Sequence, residues 1–185
     1  MRRTSALLTS VVLLIGLLAG GGSLLRADAQ DATAQDATAP VPSDWGVPGF
    51  ETLSDIADPS LAPGMVLELA RLTWEPGFAD AMHTHPAIDA FYVLSGSVAW
   101  SVEKGTAEVT RATVAGTPGP TETLQPGGEA VLEVGDSITF DYPKTGMVHA
   151  ARVVGDAPVV MLLASIYDPT QPLIVYLDGT ATPNP

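Results

Sequence analysis

The chain has no cysteine. Disulfides, thiolate metal sites, thiol nucleophiles and lipid attachment through an N-terminal cysteine are therefore excluded together, and whatever holds the fold is packing alone. Basic residues are also scarce: 8 Lys and Arg stand against 21 Asp and Glu, for a formal net charge of −13 and a pI near 4.3. Nucleic acid is excluded as a partner, because binding it requires a basic surface that displaces counterions, and no Lys/Arg cluster follows Arg26. Aromatic residues make up only 6%, and no stretch carries a helical hydrophobic period. There is no glycine-rich phosphate cradle and no Gly-x-Ser-x-Gly elbow, which sets aside nucleotide chemistry and serine-nucleophile hydrolysis.

Glycine (18) and proline (16) are abundant, and the apolar share is mostly Val, Leu and Ala, a composition suited to short strands joined by tight turns. At 185 residues there is room for one domain of ordinary size and a short appendage.

Residues 1–29 read as an export signal. Arg2 and Arg3 form a basic start, Ala6–Ala19 an apolar stretch, and Ala27-Asp28-Ala29 a small-x-small cleavage site. The alternative is an uncleaved anchor over Ala6–Leu25, about the length that crosses a bilayer. Either way the folded part is expected outside the cytoplasmic membrane, secreted or in the cell envelope, with no stable membrane insertion once the signal is cleaved. Cleavage after Ala29 removes three arginines and Asp28, so 5 basic and 20 acidic side chains remain and the net charge becomes −15. Residues 30–43 contain the near-tandem repeat Gln30–Ala34 and Gln35–Ala39 followed by Pro40-Val41-Pro42-Ser43, a composition expected to form a disordered linker. Residues 180–185 are expected to form a flexible tail, which leaves 44–179 as the folded domain.

Within that domain nine strands are predicted: Met65–Trp74, Ala90–Leu94, Ser97–Glu103, Ala107–Thr113, Ala130–Val134, Ser137–Phe140, Val148–Val154, Pro158–Ile166 and Leu173–Tyr176. Ser95-Gly96 reads as a hairpin-like tip, and Gly155-Asp156 links two apolar runs. Many short strands without a helix indicate an all-β closed barrel or sandwich.

The chain has three histidines, His83, His85 and His149. Positions i and i+2 of a strand share a face, so His83 and His85 can aim two imidazoles at one point, the convergence a metal requires. Asp89 shares their parity beyond Pro86 and is the natural fourth ligand. His149 begins the strand Val148–Val154, from which it can close the site from the opposite wall of a barrel. Three imidazoles and a carboxylate suit a divalent transition metal (Mn, Fe, Co, Ni, Cu or Zn) better than Ca or Mg. The competing reading is that these are polar histidines with no metal.

The stretch Gly77-(five residues)-His83-Thr84-His85-(three residues)-Asp89-(six residues)-Gly96 resembles the first motif of the cupin superfamily, G-x5-H-x-H-x3,4-E-x6-G, at every spacing, with Asp89 where that family usually has Glu. Gly135, Pro143, Gly146 and His149 match the second motif more loosely, with longer gaps and Val153 at the Asn position. The resemblance covers roughly residues 62–168. It implies a secreted, single-domain protein with a cupin-type double-stranded β-helix, or jelly-roll, barrel and a metal in its mouth. Gly96 and Gly146 would then provide positive-φ turns beside ligand-bearing strands. It also implies a small-molecule ligand or substrate: a metal-dependent, dioxygenase-like oxidoreductase is the leading enzymatic reading, and a non-catalytic metal or small-ligand binding or sensing module is the alternative. A homodimer is a possible assembly. Trp74, Phe91, Tyr92, Trp100, Phe140 and Tyr142 belong either to the core or to a pocket wall. Tyr92 and Tyr142, whose hydroxyls can serve a ligand, are the candidate substrate-binding residues. Asp141 and Lys144 read as solvated surface.

Overall fold

The structure, a computed structural model, describes residues 45–117 and 119–177. The export signal (1–29), linker (30–43) and tail (180–185) of the preceding section lie outside the described residues.

Alternation of apolar and polar positions sets the strands on two facing sheets. In β2 (Val66–Trp74) the residues Val66, Glu68, Ala70, Leu72 and Trp74 are buried, while Leu67, Leu69 and Arg71 between them face outward. The same period runs through β4 (Ala87–Ser95), β10 (Val148–Val154) and β11 (Val159–Tyr167). Period two with one buried face is the signature of a sandwiched antiparallel sheet.

The remaining strands are β1 (Phe50–Ala57), β3 (Ala79–Thr84), β5 (Ser97–Lys104), β6 (Ala107–Thr110), β7 (Thr121–Leu124), β8 (Glu129–Leu132), β9 (Ser137–Asp141) and β12 (Val175–Tyr176). One sheet has the order β1-β2-β11-β4-β9-β6-β7 and the other β12-β3-β10-β5-β8, with every pairing antiparallel. Successive strands β2/β3, β4/β5, β8/β9 and β10/β11 lie on opposite sheets. This is the strand order of an eight-stranded jelly roll with additional strands at its edges, and the all-β, double-stranded β-helix expectation holds.

That topology corrects the reading of Ser95-Gly96 as a hairpin tip. β4 and β5 do not pair, so the turn carries the chain around a corner from one sheet to the other. Gly96 has φ +71°, and a Cβ on it would stand 2.5 Å from the Pro158 carbonyl oxygen. Both the dihedral and the close approach require glycine.

Three strands were not foreseen. β3 is built from Ala, Asp, Met, His and Thr, residues of mostly low strand propensity, and exists because β10 and β12 pair with it. β1 and β7 are largely exposed edge strands with little apolar pattern to read. A one-turn helix, α1 (Tyr142–Thr145), also stands where none was expected. Asp141, read as solvated surface, is its N-cap, accepting from the Lys144 backbone N–H at 3.1 Å, and Gly146 (φ +63°) ends it in the left-handed conformation.

The core between the sheets is apolar and aromatic, with Trp74, Phe91, Trp100, Leu132, Ile138 and Tyr167 among its buried members. Glu68 also points inward. It is satisfied by the Trp45 indole N–H at 2.9 Å and the Thr52 hydroxyl at 2.6 Å, as a buried carboxylate must be.

Candidate metal centre

All three histidines are buried and face the interior. His83 lies on β3 and His149 on β10, and the two are direct register partners across the antiparallel pair. His149 therefore sits beside His83 in the same sheet and does not approach from the opposite wall. Opposed residues on one face bring their side chains within about 5 Å, and the rings are 4.3 Å apart between centroids. His85 follows the end of β3. As the i+2 parity requires, its ring comes to 5.4 Å from His83 and 5.0 Å from His149. One ligand nitrogen from each histidine lies within 4.8 Å of the others.

His83 Nδ1 donates to the Ala81 carbonyl oxygen at 2.7 Å. Since a carbonyl only accepts, Nδ1 carries the proton and Nε2 presents its lone pair. His149 is packed between aromatic rings, with Trp100 stacked at 5.1 Å and Phe140 at 5.0 Å. Its Nδ1 is buried without a hydrogen-bond partner. Trp45 meets His85 edge-on at 5.5 Å.

Burial keeps His83 and His149 neutral. Desolvation, with the neighbouring His85 adding to it, pushes His83 down to about 4 from the ordinary 6.5. His149 is held well below its usual value first by burial and then by His83 and His85. Neutral rings keep their lone pairs free. Three convergent buried imidazoles, two of them with an Nδ1 that has no hydrogen-bond partner, fit a divalent transition ion by donor chemistry.

Asp89 is fully buried, but its carboxylate is not among the convergent ligand atoms. Its Oδ2 lies 2.6 Å from His85 Nδ1. Tyr92 is on the outward face of β4 and is half-exposed, since an even-numbered position on a strand whose odd positions point inward turns away from the histidines. Tyr142 starts α1 and packs against the edge of the core. Neither tyrosine lines the cavity beside the imidazoles.

Other residues do line it. Trp74, Phe91 and Trp100 form walls of a cavity of about 20 Å³ beside the histidines, room for roughly one water by the ~10–15 Å³ a water centre requires. Asp80 lines it as well and was not foreseen. Asp80 and His83 are three apart and on a regular strand would face opposite ways, but the β3/β10 register shifts between the pairs His149↔His83 and Ala151↔Asp80. That bulge turns both side chains inward. Asp80 Oδ1 accepts from the Tyr176 hydroxyl at 3.0 Å. Its Oδ2 stands 3.6 Å from His83 Nδ1, beyond hydrogen-bond range, and the Ala81 carbonyl holds that proton instead. Burial raises Asp80 to about 6, against the opposing Tyr176 hydrogen bond. A wider hollow of about 470 Å³ on the outer sheet face, with Leu67, Ile88, Glu108, Lys144 and Ile166 in its lining, includes none of the histidines.

Fold and site together define a jelly-roll barrel with an inward-facing three-histidine cluster. No family model and no curated protein matches the sequence. Among solved structures the chain is similar to a DMSP lyase from Ruegeria pomeroyi (19% identity, 63% of this chain and 45% of that one, TM-score 0.35). It is also similar to a cupin 2 domain-containing protein from Halorhodospira halophila (16% identity, 64% of this chain and 62% of that one, TM-score 0.37). A third is an oxalate decarboxylase from Bacillus subtilis (20% identity, 71% of this chain and 28% of that one, TM-score 0.30). The chain thus spans less than two thirds of each of these proteins.

Proposed function

We propose that this chain is an exported metal-binding cupin that holds one divalent transition ion on His83, His85 and His149 and binds a small polar molecule beside it. The observation that carries the reading is the convergence on one point of three buried imidazoles, from β3, from the residue just beyond it and from β10. A bound ion supplies a Lewis acid with positions open to a ligand. The protein supplies the rest: Ala81 orients His83, Trp100 and Phe140 wall His149, and the cavity excludes bulk water.

Two features limit the ligand. The cavity volume of about 20 Å³ admits a species of very few atoms. The indole N–H groups of Trp74 and Trp100, both cavity-lining residues, are buried without an acceptor, and a buried N–H left unpaired costs about 1–3 kcal/mol. A small ligand with oxygen acceptors suits both features. A dioxygenase-like oxidoreductase is the enzymatic form of this reading. The same small cavity favours a second form, a module that binds an ion and a small ligand without turnover.

Elemental analysis of the purified protein and of His83→Ala tests the proposal. Stoichiometric metal in the parent and its loss in the variant are expected, and a folded parent that takes up no transition metal at saturation would refute it. Dioxygen uptake by the loaded protein with small carboxylates then separates the two forms, since no uptake with any of the six metals sinks the oxygenase.

A further inference from the structure

The motif register gives Asp89 the place of a metal ligand, yet the structure sets its carboxylate on a ring and not on the common point. Oδ2 is 2.6 Å from His85 Nδ1, and both side chains are almost wholly buried. Neither Asp89 oxygen and not His85 Nδ1 has a hydrogen-bond partner. At that separation only alignment is wanting: the oxygen stands off the axis of the Nδ1–H bond. Ser165, the register partner of Asp89 on the neighbouring strand β11, is also buried with its hydroxyl unpartnered.

We infer that Asp89 is a positioning residue and not a ligand: it accepts the Nδ1 proton of His85 and so fixes the tautomer that presents Nε2 to the ion. The inference rests on the metal-binding reading above. Chain length is one reason, since Asp is one methylene shorter than the Glu of the motif, and its oxygen stops at the imidazole. Charge is another. A buried carboxylate needs a partner of opposite charge or a polarised donor, and an ion at Nε2 supplies it through the ring by polarising Nδ1–H. His83 shows the same arrangement, its Nδ1 held by the Ala81 carbonyl. Each ring on the Ala81–Asp89 segment then has an acceptor behind it and a lone pair in front.

The test is titration of the purified protein, Asp89→Ala and Asp89→Asn with cobalt(II), reading the dissociation constant and the visible absorption at saturation. Loss of an outer partner weakens metal binding by about 10–100-fold. We expect Asp89→Ala to show that loss with the saturated cobalt spectrum unchanged. Asp89→Asn, whose amide oxygen still accepts from Nδ1–H, should lose less and also keep the spectrum. A shifted or rescaled cobalt band in either saturated variant means that a ligand has been removed, and overturns the inference. Unchanged affinity in Asp89→Ala overturns it too while leaving the metal site intact. If Asp89→Ala fails to fold, the band and affinity of Asp89→Asn decide. A folded parent that binds no cobalt defeats the metal reading itself, and this one with it.

Discussion

Burial at the centre makes its residues sensitive to protons in opposite directions. With metal removed, His83 and His149 have depressed values in the folded state, so below 6.5 the unfolded chain takes up protons that the folded chain refuses. Their contribution is present near neutrality and is lost as pH falls, for His83 through about 4. Asp80 acts the other way. Its folded value of about 6 exceeds its ordinary 3.8, so the folded chain takes up a proton first, and stability is regained as pH falls from about 6 to 3.8. Over that window Asp80 offsets His83 and leaves His149 to set the slope, at about 1.4 kcal/mol per pH unit per net proton. Chelator-treated protein is therefore expected to lose stability as pH falls from 6.5 toward 4. Asp80→Asn should lose it more steeply, having lost the compensating group, and should be more stable than the parent at pH 7 by up to about 3 kcal/mol. Urea denaturation across pH 4–7.5 checks both, and parallel curves for the two proteins would contradict the assignment to Asp80.

Among the elements, turns that switch sheets carry as much information as the strands. Gly77 and Gly96 bracket the motif and both have positive φ, +85° and +71°, but a Cβ at Gly77 meets nothing within 4 Å whereas one at Gly96 strikes Pro158 O. Gly77→Ala should cost only the backbone term, about 1–2 kcal/mol. Gly96→Ala adds a backbone clash at the β4–β5 corner, for a total of about 3 kcal/mol or more. Unfolding midpoints in urea rank the two, and equal losses would show that the corner yields freely. Element by element, three of the four strands with strong period-two patterns were legible to within a residue: β10 (Val148–Val154) falls where the pattern put it, and β2 and β11 nearly so, while β4 begins three residues before the expected Ala90. β3 was not, because its strand state comes from its partners. Asp80 was hidden for a related reason, since a bulge changes parity without leaving any mark in the residues that flank it.

For the whole molecule, acidity and the amino-terminal pattern belong to one proposal, that the folded domain works outside the cytoplasmic membrane. Mass spectrometry of protein recovered from the cell exterior or envelope of an expressing bacterium is expected to find a chain that starts at Gln30. Retention of Arg2 and Arg3 in membranes would favour the anchor instead.

The jelly roll and the place of His149 in the three-histidine group came from the resemblance of the glycine and histidine register to the cupin motifs; composition and spacing alone were enough for an all-β chain, a closed barrel or a sandwich, and for His83 and His85 as a pair. These are legible because period two and the i, i+2 rule are local properties of an extended backbone. Which strands face each other is not local. That His149 lies opposite His83 within one sheet, that Asp89 meets a ring of His85, that Asp80 turns inward and Tyr92 outward, and that the cavity is narrowed to a few atoms all depend on register between segments up to tens of residues apart. Such register is settled by the packing of whole sheets, because a slip of one residue reverses every side chain of a strand at once.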